Sequence, residues 1–247
     1  MKRRNLLLAG VSLLVLWYLL AMLVNRPILP TPMAVLIALW HELTRGNLLA
    51  HFMASFWRVI ASTLLAVLTA APAGLMLGQS KWLNDLFSPV IYLLYPIPKV
   101  VLVPIVLLFF GVGDLPKVII IFLILFFQIL VLVRDSAAGL RPELIQSVRS
   151  LGAGRRALFR YVYLPASLPA VLTALRQSVG TAVAVLYVAE LFATQRGLGY
   201  YIYLNGSTLF NYPAMYGGVL MMSLLGLGLY FGVDLLERRL CPWKLAA

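Results

Sequence analysis

Residues Lys117–Val133 read KVIIIFLILFFQILVLV, and Arg134-Asp-Ser follows at once. Gln128 is the one polar side chain after Lys117 in that run. A helix with no polar face is solvated by hydrocarbon or by a protein core. At 1.5 Å per residue the ~30 Å core of a bilayer takes ~20 residues, and this run with its flanks fills it. The rest of the chain has the same character: 62% of its 247 residues are apolar, 11% are charged, and the mean hydropathy is +0.96. A soluble domain carries roughly 45–50% and about 25%. Composition therefore excludes a soluble globule, a disordered chain and a collagen. A single cysteine, Cys241, leaves no intrachain disulfide. The chain reads as an all-α membrane protein in a single transmembrane domain.

Working outward, about six transmembrane helices are expected, at residues 6–24, 56–78, 87–110, 117–133, 168–193 and 214–236. Lys2, Arg3 and Arg4 precede the first. Its apolar run exceeds the roughly 7–15 residues of a signal-peptide core, and no small-x-small cleavage site follows, so it is expected to stay as an anchor. The second carries Gly74 and Gly78 at a spacing that permits close helix approach. Pro96, Pro98 and Pro104 interrupt the third, with Lys99 among them. Such breaks survive at membrane depth only where protein or a water-filled cavity satisfies the backbone.

Lys and Arg number 20 against 8 Asp and Glu, a net of +12. With the N-terminus inside, 13 of these cations fall on inner segments and 5 (Arg26, Arg45, Arg58, Lys117 and Arg196) on outer ones or their boundary. That asymmetry is the ordinary signature of cytoplasmic loops, and it places both termini in the cytoplasm. It also accounts for the basic charge without nucleic acid, for which no soluble domain is present.

Two connections are long. Residues 25–55 face out and are expected to hold an interfacial helix from Pro32 to about Arg45. Residues 134–165 face in and read, from Arg141, RPELIQSVRSLGAGRRALFRYVYLP. Pro142 and Glu143 suit a helix N-terminus. Leu144, Val148 and Leu151 form a stripe, and Leu158, Phe159 and Val162 continue it beyond Gly152-Ala-Gly154. The result is a two-helix knob, apolar on one side and basic on the other, with Pro165 and Pro169 expected to punctuate the entry to the next span. By composition the knob suits either a lipid surface or a groove in another protein.

That loop resembles the signature loop of ATP-binding-cassette importer permeases: Glu-Ala-Ala, three residues, Gly, nine residues, Ile-x-Leu-Pro. Gln146-Ser147-Val148 stands at the first place, Gly152 at the second and Val162-Tyr-Leu164-Pro165 at the last. Gln146 is neutral and Val148 bulkier than the family residues, which bears on any ion pair of the family glutamate. Leu29-Pro-Thr-Pro32, Ser55-Phe-Trp-Arg-Val59, Pro96-Ile-Pro-Lys99, Phe110-Gly-Val-Gly-Asp114 to Lys117, and Glu190 through Gly197-Leu-Gly-Tyr200 are similar to the nitrate, taurine and alkanesulfonate branch. The resemblance implies a type I importer permease working by alternating access in a bacterial inner membrane. It further implies a homodimer with two ATPase subunits inside and a solute-binding protein outside. It makes the loop the coupling segment, carried by Glu143, Gln146, Ser147, Val148, Arg149, Leu151, Gly152, Ala153, Arg155, Leu164 and Pro165. The chain itself has no G-x-x-x-x-G-K-[ST] motif, so no cofactor is expected on it; ATP and Mg²⁺ belong to the ATPase partner.

Catalytic patterns are missing. The two histidines, His41 and His51, do not form H-E-x-x-H, and no G-x-S-x-G occurs, so neither a metal site nor an enzyme is expected. A passive channel remains the alternative and predicts polar rings along several spans, where these are mostly apolar. An intramembrane enzyme is the more distant one. Ionisable residues inside spans are candidates for function. Thr173, Arg176, Gly180, Val183, Tyr187 and Glu190 share one face of the fifth span at spacings of three and four. This face, with Lys99, is the expected translocation path; the resemblance implies a small anion such as a sulfonate, taurine or nitrate as its cargo.

Overall fold

A computed structural model describes residues 3–192 and 194–244. Among them the ordered elements are helical: α1 (Arg3–Val24), α2 (Pro32–Thr44), α3 (Leu48–Gln79), α4 (Lys81–Leu94), α5 (Val103–Phe110), α6 (Asp114–Ala138), α7 (Pro142–Ser150), α8 (Arg155–Leu158), α9 (Leu164–Glu190), α10 (Leu198–Tyr203) and α11 (Tyr212–Leu240). Four helices are long and apolar enough to cross a bilayer: α3, α6, the helix Arg156–Glu190 and α11. A fifth candidate is the pair Lys81–Leu94 and Lys99–Phe110, bent by 76° at the break. α1 is apolar over Leu8–Val24. Lys2 and Ala193, assigned from sequence to the N-terminal charge cluster and the end of the fifth span, lie outside the described residues.

The third expected span, residues 87–110, is therefore two helices. Pro96 and Pro98 donate no N–H to α4, and proline also disfavours helical geometry in the residue before it. A 3-10 turn at Lys99–Leu102 restarts the chain, with Pro104 in the first turn of α5, where a missing N–H is harmless. The fifth span corrects the reading of Pro165 and Pro169 as its boundary. Both lie inside a helix that runs without a stop from the two-helix knob. A π turn, Phe159–Tyr163, precedes Pro165, with the Leu164 N–H reaching back to Phe159 O. The widened turn makes room for a proline ring that would otherwise meet the carbonyl four residues before it.

The chain forms two compact units. One contains the residues up to Ser55 and Glu190–Leu224. In it Thr31 caps α2 by accepting the Ala34 N–H, and Pro32 takes the first helical position. Trp17 donates its indole N–H to Pro30 O at 3.1 Å and stacks on Tyr216. Val35 is fully buried.

The other unit contains Phe56–Ala189 and Leu225–Ala247. In it α3 packs closely against α6. A Cβ on Gly74 would lie 2.8 Å from Leu130 O, and one on Gly78 2.5 Å from Arg134 O. The two glycines, one turn apart, let the backbones touch. Behind them Ile120, Ile121, Leu125, Ile129 and Val133 are buried. Gln128, in the apolar run, donates to Thr181 Oγ1 of α9 at 3.4 Å.

Gly78→Val forces α3 off α6 and is expected to lower stability by about 1–3 kcal/mol, read as a fall in thermal midpoint in detergent. Gly228→Ala, where an added Cβ meets nothing, is expected to leave the midpoint unchanged. Equal midpoints for Gly78→Val and the parent would contradict the close contact.

Candidate functional site

The loop expected to couple to a partner is a small built structure. α7 begins with Pro142 and Glu143 in its first turn and ends at Ser150. Gly152 follows at φ +81°, donating its N–H to Arg149 O at 2.9 Å. That left-handed residue reverses the chain toward α8, and a side chain there is strained although nothing lies within 4 Å. Leu158 and Val162 are buried beneath the turn, and Val148 is half-buried. Leu144 and Leu151 stand in the open, Leu151 at 86% exposure. Glu143, Gln146, Ser147, Arg149, Gly152 and Leu164 are also exposed, with Ala153 and Pro165 half-buried. The Ser147 hydroxyl is committed to Glu143 O at 2.8 Å. The side chain of Arg155 lies outside the described residues. The structure thus brings the expected coupling residues onto one protrusion and leaves its two leucines uncovered.

The expected path residues divide. On α9, Gln177, Gly180 and Ala184 are exposed, flanked by half-buried Thr173, Val183 and Tyr187. Arg176 is engaged within the chain: its guanidinium donates to Asp234 Oδ1 at 2.9 Å and to the Glu237 carboxylate of α11. Lys99 is engaged too. Its ammonium donates to Leu94 O and Tyr95 O at 2.7 and 2.6 Å and lies 4.5 Å from the centre of the Phe127 ring. It closes the open C-terminus of α4 at the proline break, where a cation meets the negative end of the helix dipole.

Glu190 belongs to a different constellation. It is fully buried; its carboxylate accepts the Ser55 hydroxyl (2.8 and 2.9 Å to its two oxygens) and the Gly199 N–H at 2.8 Å. Ser55 Oγ in turn accepts the Leu198 N–H at 2.7 Å. His51 Nδ1 lies 3.1 Å from Gly197 N and 3.0 Å from Gly197 O, and Gly197 sits at φ +127°. This network ties the segment Gly197–Gly199 to the start of α3. Two residue pairs went unrecognised in the sequence. Arg58, 2% exposed, donates from Nε and Nη2 to Asp114 Oδ1 at 2.8 and 2.5 Å. Lys117, equally buried, donates to Gly113 O at 2.8 Å. Both had been counted as outer or boundary charges. Asp114 suits the N-terminus of an apolar helix by itself, so the sequence carries no signal that it also holds Arg58.

Residues 62–241 match the family model described as "binding-protein-dependent transport system inner membrane component". The chain is 31% identical over 238 residues to the taurine transport system permease protein TauC of Escherichia coli (strain K12), covering 94% of this chain and 86% of the relative. It is 35% identical over 236 residues to a putative ABC transporter permease protein of Methanocaldococcus jannaschii, covering 93% and 88%. Its backbone superposes with a TM-score of 0.69 on a chain of the inward-facing MetNI methionine ABC transporter, at 18% identity, covering 81% and 98%.

Glu190→Ala removes the acceptor from buried donors and is expected to cost about 2–4 kcal/mol. Glu190→Gln keeps one acceptor and should cost less. Thermal midpoints of purified variants check the order, and an unchanged midpoint for Glu190→Ala would contradict the network.

Proposed function

The chain belongs to the family of binding-protein-dependent transport system inner membrane components, and from that membership we propose how it works and what it carries. It is a multi-pass permease subunit of an ATP-binding-cassette importer; it moves solute and does no covalent chemistry. In the proposed assembly two copies pair in a bacterial inner membrane, both termini in the cytoplasm. Two ATPase subunits, using ATP and Mg²⁺, meet the inner face, and a solute-binding protein delivers cargo outside.

The observation that carries the coupling reading is the knob itself. Leu144 and Leu151 are exposed on a protrusion whose far side is basic, and the protrusion continues as one helix into α9. An exposed leucine pair on a rigid helical turn is the chemistry of helix-in-groove docking. ATP binding draws the docked knobs together, α9 follows, and access alternates between the two sides. The exposed face of α9 at Thr173, Gln177, Gly180, Ala184 and Tyr187 lines the path. Its small residues leave room, and hydroxyl and amide groups replace part of the hydration of a passing solute. The cargo is a small organic anion of the sulfonate class. Support comes from the taurine permease among the relatives.

Leu151→Asp puts charge on a side chain that touches nothing it would disrupt. It is expected to leave expression and thermal midpoint unchanged while weakening recovery of the ATPase about tenfold or more. Pull-down of the tagged permease with its co-expressed ATPase measures this. Undiminished recovery would overturn the docking role.

A further inference from the structure

Arg176 looked from sequence like a cation waiting for an anionic solute. Its surroundings assign it elsewhere. Tyr230, Asp234 and Glu237 recur along α11 at spacings of four and three, hence on one stripe of that helix. All three converge on the one guanidinium: Asp234 at 2.9 Å, Glu237 in contact, and the Tyr230 ring centre 5.7 Å away. Arg238 donates to the second oxygen of Asp234 at 2.9 Å, so two cations and two carboxylates balance. Glu237 is 7% exposed overall. Such a cluster is held by geometry: removing one member leaves a desolvated charge behind.

Its position along the helix gives the cluster a mechanical meaning. The helix Arg156–Glu190 is 35 residues long. Arg176 stands about 30 Å from Arg156 and about 21 Å from Glu190, at 1.5 Å per residue. The short arm carries the exposed Gly180 and Ala184; the long arm carries the knob.

We infer that the Arg176–Asp234–Glu237 cluster is the pivot of the importer, the ionic fastening between α9 and α11 about which displacement of the knob becomes rotation of the path-lining arm. Asp234, Glu237 and Arg176 are positioning residues, not solute contacts. Both carboxylates are held through Nη2, which fixes the guanidinium against α11. The inference rests on the reading of the knob as the ATPase contact. That reading fails if the parent permease brings down no ATPase; the pivot fails on the variants below.

The test uses the complex of full-length permease and ATPase, with MgATP as probe, assayed with and without its cognate binding protein. In the parent, the binding protein raises ATP turnover. Arg176→Gln is expected to keep basal turnover within twofold and to lose the stimulation. The double variant R176E/E237R, which reverses the pair and keeps the cluster neutral, is expected to restore at least half of it. Stimulation retained in Arg176→Gln overturns the pivot. If Arg176→Gln fails to assemble, the double variant decides: assembly with stimulation supports the pivot, and assembly without it overturns it. A solute-binding arginine gives a different pattern, because a carboxylate at 176 would repel an anionic cargo and the double variant would stay unstimulated.

Discussion

In hydrocarbon no water is present to satisfy a charge or an open backbone group, and this constraint bears on the charged groups of the long apolar helices. Acids are few, 8 against 20 cations, and several of them hold a cation. Asp114 holds Arg58, Asp135 holds Arg134, and Asp234 with Glu237 hold Arg176. Glu190 is satisfied in part by a hydroxyl and a backbone N–H, which fixes Gly197–Gly199. The remaining cations lie mainly toward segments read as cytoplasmic. Three of the acids, Asp114, Asp234 and Glu237, thus join one helix to another.

The same constraint governs its irregular backbone. At Pro96 and Pro98 the helix ends, and Lys99 occupies the exposed carbonyls of Leu94 and Tyr95 from within the same segment. At Pro165 the helix continues, because a π turn absorbs the proline. The first device produces a bend of 76°; the second preserves a rigid rod from knob to span. A proline thus ends one helix at a bend and leaves another unbroken.

The sequence made the helical class, the long apolar runs, the two-helix knob and the glycine contact at Gly74 and Gly78 legible, since each depends on local pattern. Period and length place a span, and a glycine pair one turn apart announces a close approach. The partners of charges were not legible. Arg176 and Glu190 share a helical face with Thr173 and Gly180, and that face alone suggested a path. Their partners, Asp234, Glu237, Ser55 and Gly199, lie 9 to 135 residues away, and only the fold brings them close. Lys99, expected on the path, closes the carbonyls of Leu94 and Tyr95, and a lysine beside prolines does not announce which backbone groups it meets. Pro165 and Pro169 were misread because a π turn leaves no mark in composition.

The central claim is that this permease is driven by a separate ATPase through the knob at Arg141–Pro165. The most direct test is to express the tagged chain with its genomic neighbours, purify it in mild detergent and identify what accompanies it. The account predicts an ATPase in equal amount to the permease, with ATP turnover raised by the binding protein. A chain that purifies alone, in the presence and in the absence of nucleotide, would contradict it.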